Sequence, residues 1–427
     1  MSRKMKNSGN EWIGRIPEEW DARPIKNSFF IVSGATPKSD NADYWDGDVV
    51  WVTPADYKFE DKYVTVGKRN LSKAGYESCG TTLVPAGSII FSKRAPIGTV
   101  AIAGRELCTN QGCLSCVPKE RVSSKFFYYT MAVFAEQFNL YGTGTTFKEI
   151  SFSSFSDFKL PLPPFEEQEV IAAYLESKCD EIDAVITDTK RTIEEYKELR
   201  KALITKAITK GVRNNRQMKN SGSVWFGEIP AEWRMVRLKY MFHIKKDIAG
   251  KEGYTVLSIT QRGITPKNIE SNEGQLAADY SKYQLVERGD FAMNHMDLLT
   301  GWVDISQYDG VTSPDYRVFV LDDEASNKEY YLYMMQMCYF NRIFYGLGQG
   351  VSGMGRWRLQ ADKFLNFYIA VPPVEEQDEI VEALKTQLSE MDALIAAKEQ
   401  LLTEMEAYKK SVIYEYVTGK KEVPACQ

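Results

Sequence analysis

The stretch "PPFEEQEVIAAYLESKCDEIDAVI" occupies Pro163–Ile186, and "PPVEEQDEIVEALKTQLSEMDALI" occupies Pro372–Ile395, 209 residues later (372 − 163) with no gap. In each copy a proline pair stops a strand and Glu-Glu-Gln opens a helix, where acidic side chains are favoured by the helix dipole. A second repeat lies upstream: "MKNSGNEWIGRIPEEW" (Met5–Trp20) returns as "MKNSGSVWFGEIPAEW" (Met218–Trp233). The chain therefore reads as short motif, variable block, long helix, and then the same again. A period above 200 residues is too long for a solenoid. It indicates two homologous halves related by pseudo-twofold symmetry.

The helices carry a seam. Leu175, Ile182, Thr189, Tyr196 and Leu203 form one heptad column, and Cys179, Ile186, Ile193, Arg200 and Ala207 form a second. Adding 209 gives Leu384, Met391, Lys398, Met405 and Val412, then Leu388, Ile395, Leu402, Lys409 and Tyr416. This alternating spacing is a coiled-coil pattern, and even its polar interruptions coincide, Thr189 with Lys398 and Arg200 with Lys409. Residues 166–188 hold eight acidic residues and one base, whereas 189–216 hold nine bases against three glutamates. Acid first and base last suits antiparallel pairing, in which Leu175, Ile182 and Ile186 face Val412, Met405 and Leu402. A helix from Glu166 to Thr209 spans about 66 Å.

The variable blocks read as strand-rich. "DVVWVTP", "TTLVPAGSIIFSK" and "IGTVAIAG" in the first, and "YTVLSIT" and "YRVFVLD" in the second, are short β-branched or aromatic runs bounded by Gly and Pro. Each block also carries one helix, "SSKFFYYTMAVFAEQF" or "NKEYYLYMMQMCYF", whose aromatic and Met stripes are core packing. The predicted class is α+β: two mixed α/β domains separated by two long antiparallel coiled-coil helices, a pseudo-twofold dumbbell. The predicted divisions are 1–20, 21–162, 163–213, 214–233, 234–371 and 372–423.

Composition excludes much. With 427 residues, 44% hydrophobic and 26% charged, the chain is an ordinary globular sequence, and no apolar run approaches the ~20 residues of a membrane span. The start has no signal-peptide core, and seven scattered cysteines suggest reduced thiols, so a cytoplasm is expected. A net charge of −5 leaves room for local basic surfaces. There is no P-loop and no G-x-G-x-x-G, and the two histidines, His243 and His295, lack ligand spacing. "LPPF" (Leu162–Phe165) looks like an amino-methyltransferase loop, but Leu162 cannot accept from a target amine. "CTNQGCLSC" (Cys108–Cys116) has an iron–sulfur spacing, but its flanks read as strands and the next cysteine, Cys179, sits in the seam. No catalytic residue and no metal ligand is assigned.

Taken in order, "SGATPKSDNADYWDGDVVWVTPADY", "GSIIFSKRAPIGTVAI", "TNQGC" and the paired "PP-x-EEQ" helix openings resemble the specificity subunit of type I restriction–modification systems, over essentially the whole chain. That resemblance implies a non-catalytic subunit whose two target recognition domains each read half of a split sequence in double-stranded DNA. It implies helices that set the spacer and dock two methyltransferase (modification) subunits, joined by restriction/translocase endonuclease subunits. S-adenosylmethionine would belong to the methyltransferase and ATP and Mg to the restriction subunit, with no cofactor in this chain. The second block, with "YTVLSITQRGITPKN" and "DLLTGWVDISQYDGVTSPDYRVF", resembles a different recognition subtype, so an asymmetric target is expected. A methylation-only system, a coiled-coil adaptor with protein-binding heads, and a self-contained methyltransferase or nuclease are the alternatives.

Base readout needs Arg, Lys, Asn or Gln at loop tips. In the first block "FSKRAP" offers Lys93 and Arg94, and "YGTGTTFKE" offers Thr143, Thr145, Thr146 and Lys148. In the second, "MNHMD" offers Asn294 and His295 in the slot of Lys93 and Arg94. There "YGLGQGVSGMGRWRL" offers Gln349, Ser352, Arg356 and Arg358. Both Gly-rich loops lie just upstream of a Pro-Pro strand.

Overall fold

A computed structural model describes residues 3–58, 61–94, 96–144, 148–269, 277, 279–350 and 357–424. The chain divides into two compact units, Met1–Lys190 with Gln400–Gln427, and Arg191–Glu399. Each long helix, Phe165–Lys210 and Val374–Val417, contributes one part to each unit.

Despite dissimilar sequences, the two units are built on the same sheet. In the first, the strands lie in the order Phe29–Ser33, Cys113–Pro118, Ile89–Ser92, Val100–Ala103, Tyr63–Val64. All pairs but the last are antiparallel. In the second, the order is Phe242–Lys245, Arg317–Leu321, Phe291–Met293, Val303–Ile305, antiparallel throughout. The strands Ile89–Ser92, Val100–Ala103, Phe291–Met293 and Arg317–Leu321 are short and almost wholly buried, as β-branched and aromatic runs between turns should be, whereas the edge strands Phe29–Ser33 and Phe242–Lys245 are only partly covered. A sheet face of each unit packs on a helix, Ser124–Val133 or Lys328–Phe340. The first of these is shorter than "SSKFFYYTMAVFAEQF" suggests. It stops at buried Phe134, and a second helix runs Ala135–Leu140. The break falls where Ala135 meets Gly98, a residue at φ +98° whose added Cβ would lie 2.8 Å from the Ala135 Cβ.

The repeated motifs form the joint between each head and its long helix. Hairpins Met5–Asn7/Arg15–Pro17 and Met218–Asn220/Glu228–Pro230 have matching pairings. Each leads into a strand that pairs antiparallel with the one ending at the proline pair, Asp21–Pro24 with Lys159–Leu162 and Arg234–Arg237 with Tyr368–Val371. Trp20 and Trp233 are fully buried. Their indole N–H groups donate to Glu167 (2.8 Å) and Glu376 (2.9 Å), carboxylates that also hold Arg3 and Arg216. The following glutamine does two jobs. Gln168 donates to Pro163 O at 2.9 Å and accepts from Ser123 N–H at 2.9 Å; Gln377 does the same with Pro372 O (3.1 Å) and Asn327 N–H (2.9 Å). "EEQ" is thus more than an acidic helix start. It ties the N-terminal motif, the proline turn and the head helix to one point.

Within each unit the long helices meet along the seam. In the first, the Tyr416 hydroxyl donates to the Tyr174 hydroxyl at 3.2 Å, and Lys409 Nζ lies 2.6 Å from Asp183, so contacts advance on one helix while retreating on the other. In the second, Arg213 is bonded to Glu379 at 2.7 Å, and Arg200 lies 3.4 Å from Asp392. Asp183 and Asp392 are 209 apart, as are Arg200 and Lys409. The Arg200 and Lys409 interruptions of the seam therefore make one ion pair twice, once in each unit with the helices exchanged.

Burial follows the seam at Leu175, Cys179, Ile182, Ile186, Thr189, Ile193, Leu384, Leu388, Met391 and Val412. Tyr196, Leu203, Ile395, Leu402 and Met405 are half-buried. Near the heads two adjacent columns are covered: Ile171 with Ala172, Ala207 with Ile208, Ile380 with Val381, and Val412 with Ile413. A 3.6-residue helix drifts off a 3.5-residue seam, and the heads cover what the drift turns outward.

Candidate nucleic-acid interface

In the first unit the strand Ile89–Ser92 delivers the chain to Lys93 and Arg94. Lys93 N–H donates to Gly112 O, and Ile150 N–H donates to Lys93 O, both at 3.0 Å. Arg94 and Thr143 each bridge to Glu149. The exit loop, the "TNQGC" turn and the Gly-rich hairpin thus meet at one sheet end. Gly34 closes that end against the backbone, since a Cβ there would lie 2.2 Å from Asn110 O. Asn110 shapes the turn by accepting from Gly112 N–H at 2.9 Å, and exposed Gln111 is hydrogen-bonded to Thr36.

The second unit repeats the arrangement with other side chains. Strand Phe291–Met293 delivers Asn294 and His295, and Leu359 N–H donates to His295 O at 3.0 Å. This is the bond that Ile150 makes to Lys93, with the donor 209 residues on (359 − 150) and the acceptor 202 (295 − 93). Gln349–Gly350 pairs with Trp357–Arg358, forming the hairpin that corresponds to the one bridged by Thr143 and Glu149.

The sequence-derived candidates do not share one environment. Thr143, Lys148, Gln349 and Arg358 are exposed on the hairpins. Lys93 is mostly covered and bound to Glu149 at 2.7 Å, so it braces the hairpin, whereas Arg94 keeps a looser 3.9 Å contact with that carboxylate. Asn294 accepts from Met296 N–H (3.2 Å) and Asp297 N–H (3.3 Å), and so builds a turn. His295 is half-buried, its Nδ1 has no hydrogen-bond partner among the described residues, and burial pushes its pKa down to about 3. Thr145, Thr146, Ser352 and Arg356 lie outside the described residues.

The chain matches a family described as "Type I restriction modification DNA specificity domain" over residues 17–195 and again over 230–404. The chain belongs to that family. Each matched stretch contains one of the two main sheets with its exit loop and its hairpin. The MjaIX specificity subunit of a type I restriction enzyme of Methanocaldococcus jannaschii is 37% identical over 166 residues, 38% of this chain and 38% of that protein. The MjaVIII subunit of the same organism is 29% identical over 66% of each chain. The chain thus spans less than two thirds of the length of both. A putative MjaX specificity subunit is 23% identical over 98% of both chains. A solved structure described as the basis of complex assembly and conformational transition of a type I restriction–modification system superposes with a TM-score of 0.71 at 14% identity, over 95% of this chain and 99% of that one. The HsdS subunit of Thermoanaerobacter tengcongensis gives 0.50 at 15% identity, over 95% and 98%.

Within this specificity-domain family the arrangement offers amide and guanidinium donors on short hairpins over a rigid sheet, which is chemistry for recognition. Cys108, Cys113 and Cys116 are buried free thiols, and burial pushes Cys108 up to about 11 and Cys113 to about 12. A buried protonated thiol is inert. No group of side chains that could hold a metal occurs among the described residues, and no described helix is long and apolar enough to cross a membrane.

Sequence reasoning missed Arg3 and Arg216, although each stands two residues before its "MKNSG". It also missed Arg317, a charged residue opening the buried strand "RVFVL". An arginine inside an otherwise apolar strand was the available signal.

Proposed function

We propose that this chain is the DNA-reading subunit of a type I restriction–modification enzyme, non-catalytic by itself. Each head reads one half of an asymmetric bipartite target in double-stranded DNA. The observation that carries this reading is the pair of equivalent hairpin-and-loop edges with different side chains. Arg94, Thr143 and Lys148 stand on one, and His295, Gln349 and Arg358 on the other, over sheets of the same order. A common frame with exchanged tips is what reading two different half-sites requires.

The two long helices act as an antiparallel coiled-coil spacer between the heads, and the doubled Asp–cation pair supports this. The spacer fixes the gap between half-sites and docks two methyltransferase subunits, which bring S-adenosylmethionine. Restriction/translocase subunits, where present, bring ATP and Mg. The setting is the prokaryotic cytoplasm.

The test is to map methylated motifs in the host by single-molecule sequencing, with and without this gene, and to follow salt-dependent gel shifts of the chain assembled with its methyltransferase. A split, asymmetric motif that disappears with the gene is expected. A continuous or palindromic motif overturns the two-head reading, and binding of a protein but no DNA would make the chain an adaptor.

A further inference from the structure

Beside the second head's hairpin lies an open pocket of about 410 Å³. Lys246, His295, Arg317 and Arg358 are the basic residues that line it, and no carboxylate does so among the described residues. Arg317 is 4% exposed. Its guanidinium donates to Leu359 O at 2.9 Å, contacts Met293 Sδ at 3.8 Å and lies over the Phe364 ring, and it makes no ion pair among the described residues. A buried cation without a counter-charge is costly. Burial pushes it down to about 10, and the opposing influence is the Tyr339 hydroxyl rather than a carboxylate. His295, held neutral, adds an unpartnered ring nitrogen, and Arg358 and Lys246 add positive charge.

The fold does not demand this charge. Arg317 pairs with Met293 across the sheet, and the corresponding pair in the first head is Leu114 with Phe91. There the position holds a leucine that is fully buried in the apolar core. One head fills the site with apolar packing, and the other keeps an uncompensated cation at the floor of an open pocket.

We propose that this pocket is a binding site for a phosphate-type oxyanion, with Arg317 at its floor, Arg358 and Lys246 above it and His295 as a neutral neighbour. The source most consistent with the hairpin beside it is a backbone phosphate of DNA bound by the second head. This deepens the DNA-reading proposal and rests on it for the source, though not for the oxyanion chemistry. The guanidinium fork matches phosphate oxygens in geometry and charge.

The chain has two histidines, so selectively labelled imidazoles give two resonances, and exposed His243, bonded to Asp322, serves as an internal control. Inorganic phosphate is titrated into the full wild-type chain at constant ionic strength, then a duplex carrying the mapped half-site. A saturable shift of His295 with His243 unmoved supports the site, and Arg358→Gln should weaken it roughly tenfold. Arg317→Met should abolish it; should that variant fail to fold, the wild-type and Arg358→Gln titrations decide. Displacement of phosphate by duplex identifies a DNA phosphate, and a phosphate response indifferent to duplex identifies a free oxyanion. If His295 answers neither ligand while gel shifts still show half-site binding, the pocket proposal falls and the DNA-reading proposal stands. If phosphate binds and no DNA is retained, the reverse holds.

Discussion

Trp233 donates its indole N–H to Glu376 across 2.9 Å, and both residues are fully buried. Arg216 reaches the same carboxylate, so a buried negative charge is held by one cation and one neutral donor. The first half repeats this with Glu167, Trp20 and Arg3, but there the Glu167 side chain is 26% exposed. Removing a buried charge partner costs about 3–5 kcal/mol, and a partly solvated one costs less. Glu376→Gln should therefore destabilise its unit by about 3 kcal/mol, and Glu167→Gln by roughly half as much. Denaturant unfolding of both variants, with tryptophan emission as the probe, checks the ranking; equal losses would refute it.

A second consequence concerns how each head is matched to its helix. Lys125 on the first head's helix meets Glu176 at 2.9 Å, and Glu329 on the second head's helix meets Lys385 at 2.5 Å. Glu176 and Lys385 are 209 apart, and Lys125 and Glu329 each stand two residues after the N-cap that is tied to Gln168 or Gln377. The same contact therefore exists twice with its polarity reversed. Lys125→Glu alone should weaken the first head's docking by about 1 kcal/mol through like-charge contact, and because Glu176 also holds Lys62, Lys125→Glu with Glu176→Lys should recover only part of it. A double-mutant cycle measures the coupling, and failure of the double variant to recover would show that the pair is incidental.

The same glutamate sets a pH dependence. Hydrogen bonds from Lys62 and then Lys125 hold the Glu176 carboxyl below its ordinary value of 4.5. A carboxyl depressed in the folded state adds stability above the unfolded pKa, and that stability is lost as pH falls through the folded pKa. Glu176→Gln should thus reduce stability near neutrality and leave less to lose on acidification below about pH 4.5. Thermal melts between pH 7 and pH 3 test this; identical acid limbs in wild type and variant would contradict it.

The seam ion pairs call for a different expectation. Asp183 is about half exposed and Lys409 mostly covered, so their pair at 2.6 Å is worth no more than about 1 kcal/mol. Asp183→Ala should cost less than that, and Lys409→Met should be close to neutral because an apolar seam residue replaces the cation. What the pair supplies is alignment, since only the observed stagger brings Lys409 to Asp183 and Arg200 to Asp392. Crosslinking of cysteine pairs placed along the seam should report one stagger in wild type and several in a variant lacking both pairs. A single unchanged stagger would remove the alignment role.

How far the sequence carried the reading depends on whether a feature repeats. The long helices, their seam and the proline stops were legible because the chain states them twice at a constant offset. The shared sheet of the two heads was not, because buried strands tolerate exchange of one apolar residue for another, and "SIIFS" and "FAM" bear no likeness. Site residues were read as loop donors by type alone. That placed Arg94, Gln349 and Arg358 on the hairpin edges, but it could not see that Lys93 is bound to Glu149 or that Asn294 is used up in a turn. Arg317 escaped because its strand looked like core.

The last expectation separates the two heads. Arg94 stands at the edge of the first head with only a 3.9 Å contact to Glu149, whereas Gln349 and Arg358 are exposed on the second head's hairpin. Arg94→Ala should lower affinity for DNA altered in neither half-site by about 1–3 kcal/mol if the guanidinium reads a base edge, and relax selectivity only in the first half. Gln349→Ala should relax only the second. A residue that contacts phosphate instead weakens binding to all sequences alike and lowers the salt slope by about one. Competition gel shifts of the assembled enzyme, using duplexes mutated in one half at a time and two salt concentrations, distinguish these outcomes. Loss of selectivity in the opposite half would break the assignment of one head to one half-site.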